Sequence, residues 1–551
     1  MKQLICCILT FALLLGLCAM PASAAESVVY VSTTGSDSNL GTESAPLATL
    51  TKAYAKKPDK IILLTNTTYA MPSAHTQTVT ITGKTADVQL SFADGASFAG
   101  PTVLDNLTIT SPSAQVALHC KGNPFTATET VTCSGTRIAL FAGMNGSDFT
   151  GDTHLNIYGG SYNYIYGGNR GDSTFTGNTY VTVGGNTNKG DGIDDAASNI
   201  SPCMIYGGGQ GPVIGNTYVT LEGNAVTKYV VGAGNDANAT VSGSTNIYIK
   251  GGKVMNVYGG AKAAALTCNT NITMTGGIAE SLFGGSENNS MTGNTHITVL
   301  GGEIYRRIYS GCYNDWTLTY KSSYYVTGNT YLVLGKDASI INKNALSSDN
   351  QDNMGIFSGS RLGAQKNEIN TLVYLDGASA KHKSNVGDVS GWSWAFKNCA
   401  DYTVTATGEG LIKGSDTQNS TVTFVPDTGY APFVSDTDYI DRALTLSSAS
   451  TTVDFKKTFK LENVTATENG IEVNFWAENA LNETNPRLLC AVYDGDVLAD
   501  VQQFTPETTS TSHTFSYADN LQAGKTYTVK VFLWTDDSSP QAKLSTISFL
   551  R

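Results

Sequence analysis

Three carboxylates lie close together in one segment, Asp191, Asp194 and Asp195, beside Lys189 in NTNKGDGIDDAASN. Carboxylates at that spacing can supply the oxygen ligands of a Ca²⁺ loop. A solvated acidic loop has the same composition. A second group gathers Arg306, Arg307, Tyr309, Tyr313, Asp315, Trp316 and Lys321. Such a set suits an acidic sugar or proton transfer, and a mixed surface loop supplies the same residues. The third signal is aromatic. After a recurring aliphatic position the next residue is Tyr166, Tyr206, Tyr258, Phe283, Tyr309 or Phe357, with Val231 the exception. Rings in a row, backed by Asn and Thr, offer apolar faces to sugars; a ladder that only stiffens the stack has the same pattern. The candidate binding residues are therefore Tyr166, Tyr206, Tyr258, Phe283, Tyr309, Arg306 and Trp316. No catalytic residue and no metal ligand is assigned. No cofactor is expected, Ca²⁺ being the one ion left open. His154 and His296 share a column with four repeats between them, roughly 20–25 Å at the spacing of stacked strands, too far to cooperate. HExxH, GxSxG, the phosphate-binding loop and the dinucleotide fingerprint are absent.

These residues sit on a repeat. One segment reads GDTHLNIYGG from 151, GNTYVTVGGN from 177, GNTYVTLEGN from 215, GSTNIYIKGG from 243, CNTNITMTGG from 268 and GNTHITVLGG from 293. Two further copies start at 328 and 369. A second segment follows, IYGG at 165 and 205, VVGAG at 230, VYGG at 257, LFGG at 282, IYSG at 308 and IFSG at 356. The third position of the first segment is Thr in all eight copies, Thr153 through Thr371, and the positions two and four further on are always apolar. Period-two alternation marks a strand with one face inward. Two short strands per coil of about 25 residues, with no helical period, predict a parallel β-solenoid whose equivalent residues stack about 4.8 Å apart. The Thr column is expected to form an internal ladder, because an unpaired buried hydroxyl costs about 1–3 kcal/mol. Asn178, Asn216, Asn269, Asn294, Asn329 and Asn370 are expected to form an amide ladder at a corner. Propeller blades need about 40–50 residues each, which excludes them.

Composition agrees. The chain has 57 Gly in 551 residues and 15% charged residues, against about 25% charged in an ordinary globular protein. Collagen is excluded because glycine does not recur at every third position, and 27 Tyr with 19 Phe supply a buriable core. A net charge of −12 without a basic cluster argues against nucleic acid and against an anionic membrane surface. Residues 1–24 read as a secretory signal peptide, with Lys2, the apolar run Ile5 to Leu17, and Ala22-Ser23-Ala24 as the cleavage site. Leu17 before Cys18 departs from a lipoprotein motif. No transmembrane segment follows, and bacterial export into the medium or to the cell surface is expected. Seven further cysteines, from Cys120 to Cys490, are scattered without a CxxC pair; most are expected to be buried and apolar, with pairing of Cys120 and Cys133 left open.

Residues 28–55, VVYVSTTGSDSNLGTESAPLATLTKAYA, resemble the N-terminal motif of secreted right-handed β-helix proteins of the pectin-lyase-like superfamily, through Tyr30, Gly35, Asp37, Asn39, Gly41, Thr42 and Pro46. GPTVLDNLTIT (100–110) looks like a coil of the same group, and the YGG repeats are similar to those of surface proteins of Gram-positive anaerobes. The resemblance implies an all-β, right-handed parallel β-helix over 25–431 with an N-terminal helical cap. It does not imply one function, since the fold carries lyases, hydrolases, adhesins and inert stalks. Residues 432–451 read as a linker and 452–551 as a β-sandwich. Within the latter, Leu521, Gly524 and Tyr527 resemble the corner of fibronectin type III domains. The expected partner is a polysaccharide or cell-surface glycan, bound by a monomer without catalysis. The alternative is a polysaccharide lyase or glycoside hydrolase.

Overall fold

The computed structural model of the protein describes residues 26–188, 203–313 and 324–342, individual strands between 355 and 457, and residues 460–476, 487–507, 511–534 and 543–551. The acidic segment with Asp191, Asp194 and Asp195, the segment with Asp315, Trp316 and Lys321, the leader and Cys399 lie outside the described residues, as does the side chain of Phe357.

The chain is nearly all β. Among the described residues the only helix is Leu50–Ala55, and no helix is long and apolar enough to cross a membrane. Asp37 anchors the start of that helix: its Oδ1 accepts the backbone N–H groups of Ala48 and Thr49 at 3.0 Å, and its Oδ2 accepts the Thr49 hydroxyl at 2.9 Å. Thr49 in turn caps the helix by accepting Lys52 N–H at 3.2 Å. The acidic residue of the N-terminal motif is thus a turn and cap residue.

From Val28–Val31 to Thr421–Pro426 each coil pairs with the next in parallel, within a 31-stranded sheet. The repeated strands align in the register the sequence columns require. Thr153 pairs with Thr179, then Thr217, Thr245, Thr270, Thr295, Thr330 and Thr371. A second column runs through Tyr162–Tyr166, Met204–Tyr206, Val226–Val231, Lys253–Tyr258 and Ile278–Phe283. This arrangement is compatible with a β-helical solenoid. It differs from the two-strand expectation in one respect, because most of the described coils carry a third short strand, reduced before Thr245 to a single bridge at Val241. Phe149–Thr150, Phe175–Thr176 and Val213–Ile214 form one such row, and Leu266–Thr267, Met291–Thr292 and Val326–Thr327 another. The apolar residue at its head recurs four places before each Thr, and Phe175, Val213, Leu266, Met291 and Val326 are all buried.

The inside of the coils is one continuous core. The two apolar columns, from Leu155 to Leu332 and from Ile157 to Leu334, are no more than 1% exposed. The Thr column lies in the same wall, at most 2% exposed from Thr153 to Thr330. Each hydroxyl donates across the corner of its own coil to the carbonyl that follows the aromatic position. Thr153 reaches Gly167 at 2.7 Å; Thr179, Thr217, Thr245, Thr270 and Thr295 reach Gly207, Gly232, Gly259, Gly284 and Ser310 at 2.6 Å. The Thr residues therefore clip first strand to second within a coil, and do not bond one another. The clip also explains the glycine that accepts it. A Cβ on Gly232 would lie 2.1 Å from the Gly259 carbonyl oxygen and 2.7 Å from Thr245 Cβ of the next coil. The amide ladder does run between coils: Asn216, Asn294 and Asn329 each place their backbone N–H 2.8–2.9 Å from the Oδ1 of the preceding Asn.

The tail forms two antiparallel sheets. Lys460–Ala466, Gly470–Trp476 and Ser512–Ser516 make one; Val497–Phe504, Arg487–Asp494, Thr526–Trp534 and Lys543–Leu550 make the other, and both contribute to one buried cluster. Tyr527, buried, accepts Gln522 N–H at 2.8 Å, beside Gly524 at φ 81°. The strand Thr451–Lys457 pairs instead with Gly410–Ser415 and Tyr430–Phe433 of the large sheet, and Ala443–Thr445, inside the expected linker, pairs with Thr421–Pro426. The separate sheets thus start at Lys460. Cys120, buried, and Cys133, half-buried, are not paired with each other, and Cys203, Cys268, Cys312 and Cys490 are buried as well.

Replacing Thr217 by Val removes one clip and leaves the Gly232 carbonyl buried without its donor. Chemical denaturation should show a loss of about 1–3 kcal/mol. Thr182→Val, on the outward side of the neighbouring strand, should stay within about 0.5 kcal/mol of the parent.

Candidate functional site

The aromatic column does not face solvent. Tyr206, Tyr258 and Phe283 are 0% exposed, Tyr309 3% and Tyr166 4%. They form, with Phe141, Met204 and Val231, a cluster separate from the main core. Its rings stack along the coils: Phe141 on Tyr166 at 4.6 Å and 3°, Tyr166 on Tyr206 at 4.7 Å and 7°, Tyr258 on Phe283 at 5.1 Å and 14°, and Phe283 on Tyr309 at 5.5 Å and 11°. Val231 interrupts the series, and there the Tyr229 ring meets Tyr258 edge-on at 5.7 Å. Burial pushes the Tyr166, Tyr206 and Tyr258 hydroxyls well above the ordinary phenol range.

Over the first part of this ladder lies an open cleft of about 540 Å³. Phe141 and Tyr166 form its floor with Ala117 and Ala139, half-buried Tyr164 stands beside them, and the remaining lining is Asp94, Gln115, Arg170, Gln210, Asn235 and Lys262. Four of these residues belong to a single column. Each comes four places after the aromatic position, so successive coils present Arg170, Gln210, Asn235, Lys262, Glu287 and Tyr313. Backbone bonds from Gln210 N–H to Asn169 and from Lys262 N–H to Gly234, both 3.0 Å, hold the row in step. The repeat alignment contained this column, but its residues share no type. A search for recurring residues passes over it.

The buried ladder holds the wall of the cleft. The Tyr206 hydroxyl donates to Asn235 Oδ1 at 3.0 Å, and Asn235 Nδ2 donates to Asp236 at 2.7 Å. Gln210 Oε1 accepts Gly171 N–H at 2.9 Å, and Asp94 Oδ1 accepts Ala117 N–H at 2.8 Å. The Arg170 guanidinium lies 5.6 Å from the centre of the Phe141 ring and donates to His119 Nε2 at 3.4 Å. His119 is 1% exposed and stacks on Phe141 at 5.3 Å. Burial, then the Arg170 charge, lower its pKa to about 4, so it stays neutral and keeps the lone pair that Arg170 uses.

Arg306 belongs to a different place on the same face. Its NH1 lies 2.9 Å from Glu280 Oε1, and Arg307 sits 5.9 Å over the Tyr309 ring. Burial raises the Glu280 pKa, and the charges of Arg306 and Arg307 oppose that rise. Tyr313 packs edge-on against Phe283 at 4.7 Å. The structure therefore brings Tyr166 to the cleft floor, keeps Tyr206, Tyr258, Phe283 and Tyr309 in the ladder, and places Arg306 in an ion pair; Trp316 lies outside the described residues. His154 stacks on Tyr180 at 4.7 Å and His296 on Tyr331 at 4.5 Å, in an outward column of the first strand. Among the described residues no group of three or more His, Cys, Asp or Glu gathers as metal ligands would.

Compared with protein families, curated proteins and solved structures, the chain matches none. The class of the protein rests on its own geometry, a parallel coil stack with a polar cleft over an aromatic ladder.

The burial of His119 has a measurable consequence. Its folded pKa is below the unfolded value of about 6.5, so the unfolded chain binds the extra proton between these values. This contribution to stability is full above about pH 6.5 and is lost as pH falls towards 4. Denaturation curves from pH 7 to 4 should show a steeper loss for the parent than for His119→Gln.

Proposed function

We propose that the protein is an exported bacterial β-helix protein that binds glycans in the cleft above the aromatic ladder, without catalysis. In this reading residues 1–24 direct secretion, and residues 25–431 are a right-handed parallel β-helix of pectin-lyase-like type. The tail is an immunoglobulin- or fibronectin-like sandwich that serves as spacer or attachment module. The coil stacking and parallel register support the first assignment. Two antiparallel sheets over one core, with the Tyr527 corner, support the second.

The observation that carries the binding assignment is the make-up of the cleft. An apolar floor of Phe141 and Tyr166 is bordered by Gln115, Gln210 and Asn235, whose amides both donate and accept. Sugars present the matching surface, an apolar ring face edged by hydroxyls. The expected partner is a polysaccharide or cell-surface glycan, bound by a monomer with no cofactor.

A glycan array and a lyase absorbance assay on one preparation test this. Binding should appear with no unsaturated product, and Tyr164→Ala and Asn235→Ala should each weaken it about tenfold, the loss of roughly one hydrogen bond or stacking contact. Turnover would favour the lyase or hydrolase instead, and would direct attention to Glu280 with Arg306 and Arg307.

A further inference from the structure

We infer that the strand Val497–Phe504 in the tail is a docking edge, which takes an extended, basic segment of another protein chain as an added strand. The edge lies in a different part of the molecule from the cleft, and the inference is independent of the glycan reading.

In its sheet Val497–Phe504 pairs with Arg487–Asp494 on one side, and among the described residues no strand lies on the other. A free edge presents a row of backbone N–H and C=O groups, and extended backbone is what fills such a row. Edge strands are ordinarily blunted by Lys, by Pro or by short length. The other edges of the tail follow that rule: Lys460–Ala466 and Lys543–Leu550 begin with Lys, and Ser512–Ser516 is short and mostly polar. Val497–Phe504 has eight residues with neither Lys nor Pro, and its Val497, Leu498 and Val501 are exposed. Ala499 is left unpaired at a register shift, and Asn520 Nδ2 donates to its carbonyl at 3.0 Å. The straight stretch is therefore Asp500–Phe504, about 17 Å of strand. Gln502 holds it from within, its Nε2 donating to Asp500 Oδ2 and to the Ser516 carbonyl of the opposite sheet, both at 2.7 Å.

The face beside this edge and the charge around it name the occupant. Val501 stands in a row with Ala491 and Lys530, Gln503 with Leu489 and Phe532, and Leu498 with Tyr493 and Thr528. These rows form the outer face, since Leu488, Cys490 and Val492 belong to the buried cluster. A sheet with one wet face alternates apolar with polar residues, whereas Leu488 to Tyr493 reads LLCAVY without a polar break. An added strand with a β-branched residue beside Val501 extends that apolar face, and cross-strand pairs of this kind are favourable. From Asp496 to Glu507 the chain carries Asp496, Asp500 and Glu507 and no Lys or Arg. Lys525 is paired with Asp494, and Lys530 lies 4.8 Å from the centre of the Tyr493 ring. Among the described residues neither Asp496 nor Asp500 is in an ion pair. A second copy of this chain would bring the same acids to the seam, where like charges repel. A segment whose Lys or Arg residues alternate with β-branched ones matches both the charge and the face.

The test measures equilibrium binding to the full chain of peptides of about ten residues, in which Val, Ile or Thr alternates with Lys or Arg. One control set replaces the basic residues by Asp or Glu. The other keeps them and carries methyl groups on its backbone nitrogens, so that charge is preserved and the ladder donors are lost. The unmethylated basic set should bind at least about tenfold tighter than either control. Val501→Lys, which puts a cation on the open edge, should lose about tenfold on that set, and Asp500→Asn about threefold with a weaker salt dependence. Thermal unfolding confirms that both variants are folded. Equal binding of the methylated and unmethylated basic sets, parent-level binding by Val501→Lys, or no binding to any set overturns the inference.

Discussion

The structure depends on register. In a parallel coil stack every residue has its own equivalent above and below it, about 4.8 Å away, so whatever one coil places at a position is repeated as a row. A charge would be repeated as a row of like charges, which repel when directly opposed; a hydroxyl or amide becomes a row of hydrogen bonds. The Thr clip fixes this register in each coil. It ties the first strand to the carbonyl at the end of the second at 2.6–2.7 Å, and so sets where the coil turns. The low charge of the chain and its glycine excess have the same origin. The residue whose carbonyl takes the clip must also allow the next coil to approach within 2.1–2.3 Å of where a Cβ would be, and five of the six are glycine. Ser310 takes the role where the series reaches Thr295.

The same constraint explains why long insertions do no harm. Thr179 and Thr217 are 38 residues apart and Thr295 and Thr330 are 35 apart, yet each pair is aligned as closely as the 25-residue pairs. The described strands on either side of each longer step keep the columns in step. Loop closure costs little more for a longer loop, whereas a shift of one residue within a strand would turn every apolar side chain outward.

Much of the fold was legible because its rows are chemically uniform. Thr, the two aliphatic columns and the Asn ladder each repeat one side-chain type, and the structure keeps each in one wall. The third strand was less legible: it contributes one apolar and one polar residue per coil, too short for a period to show, although Phe175, Val213 and Met291 stand at a constant distance before the Thr. The aromatic column was recognised, but alternation alone sends it outward. It is buried because side chains of the following turn and of position 164 or 229 close over it. The cleft wall was hidden for the opposite reason to the core. Arg170, Gln210, Asn235 and Lys262 have no type in common, and only their constant offset from the buried column of Tyr166, Tyr206, Val231 and Tyr258 reveals them as a row.

That contrast also decides what the aromatic ladder does. Rings 4.6–5.5 Å apart and within 14° of parallel spend their faces on one another, so a sugar cannot stack on them in series. What the ladder offers is a rigid bed. Tyr206 spends its hydroxyl on Asn235, and Phe141 supports both His119 and Arg170. The ring and the imidazole beneath it thereby orient Arg170. The invariant column is therefore structural. The ladder sets the positions of the row, whose residue types differ from coil to coil over an unchanged stack.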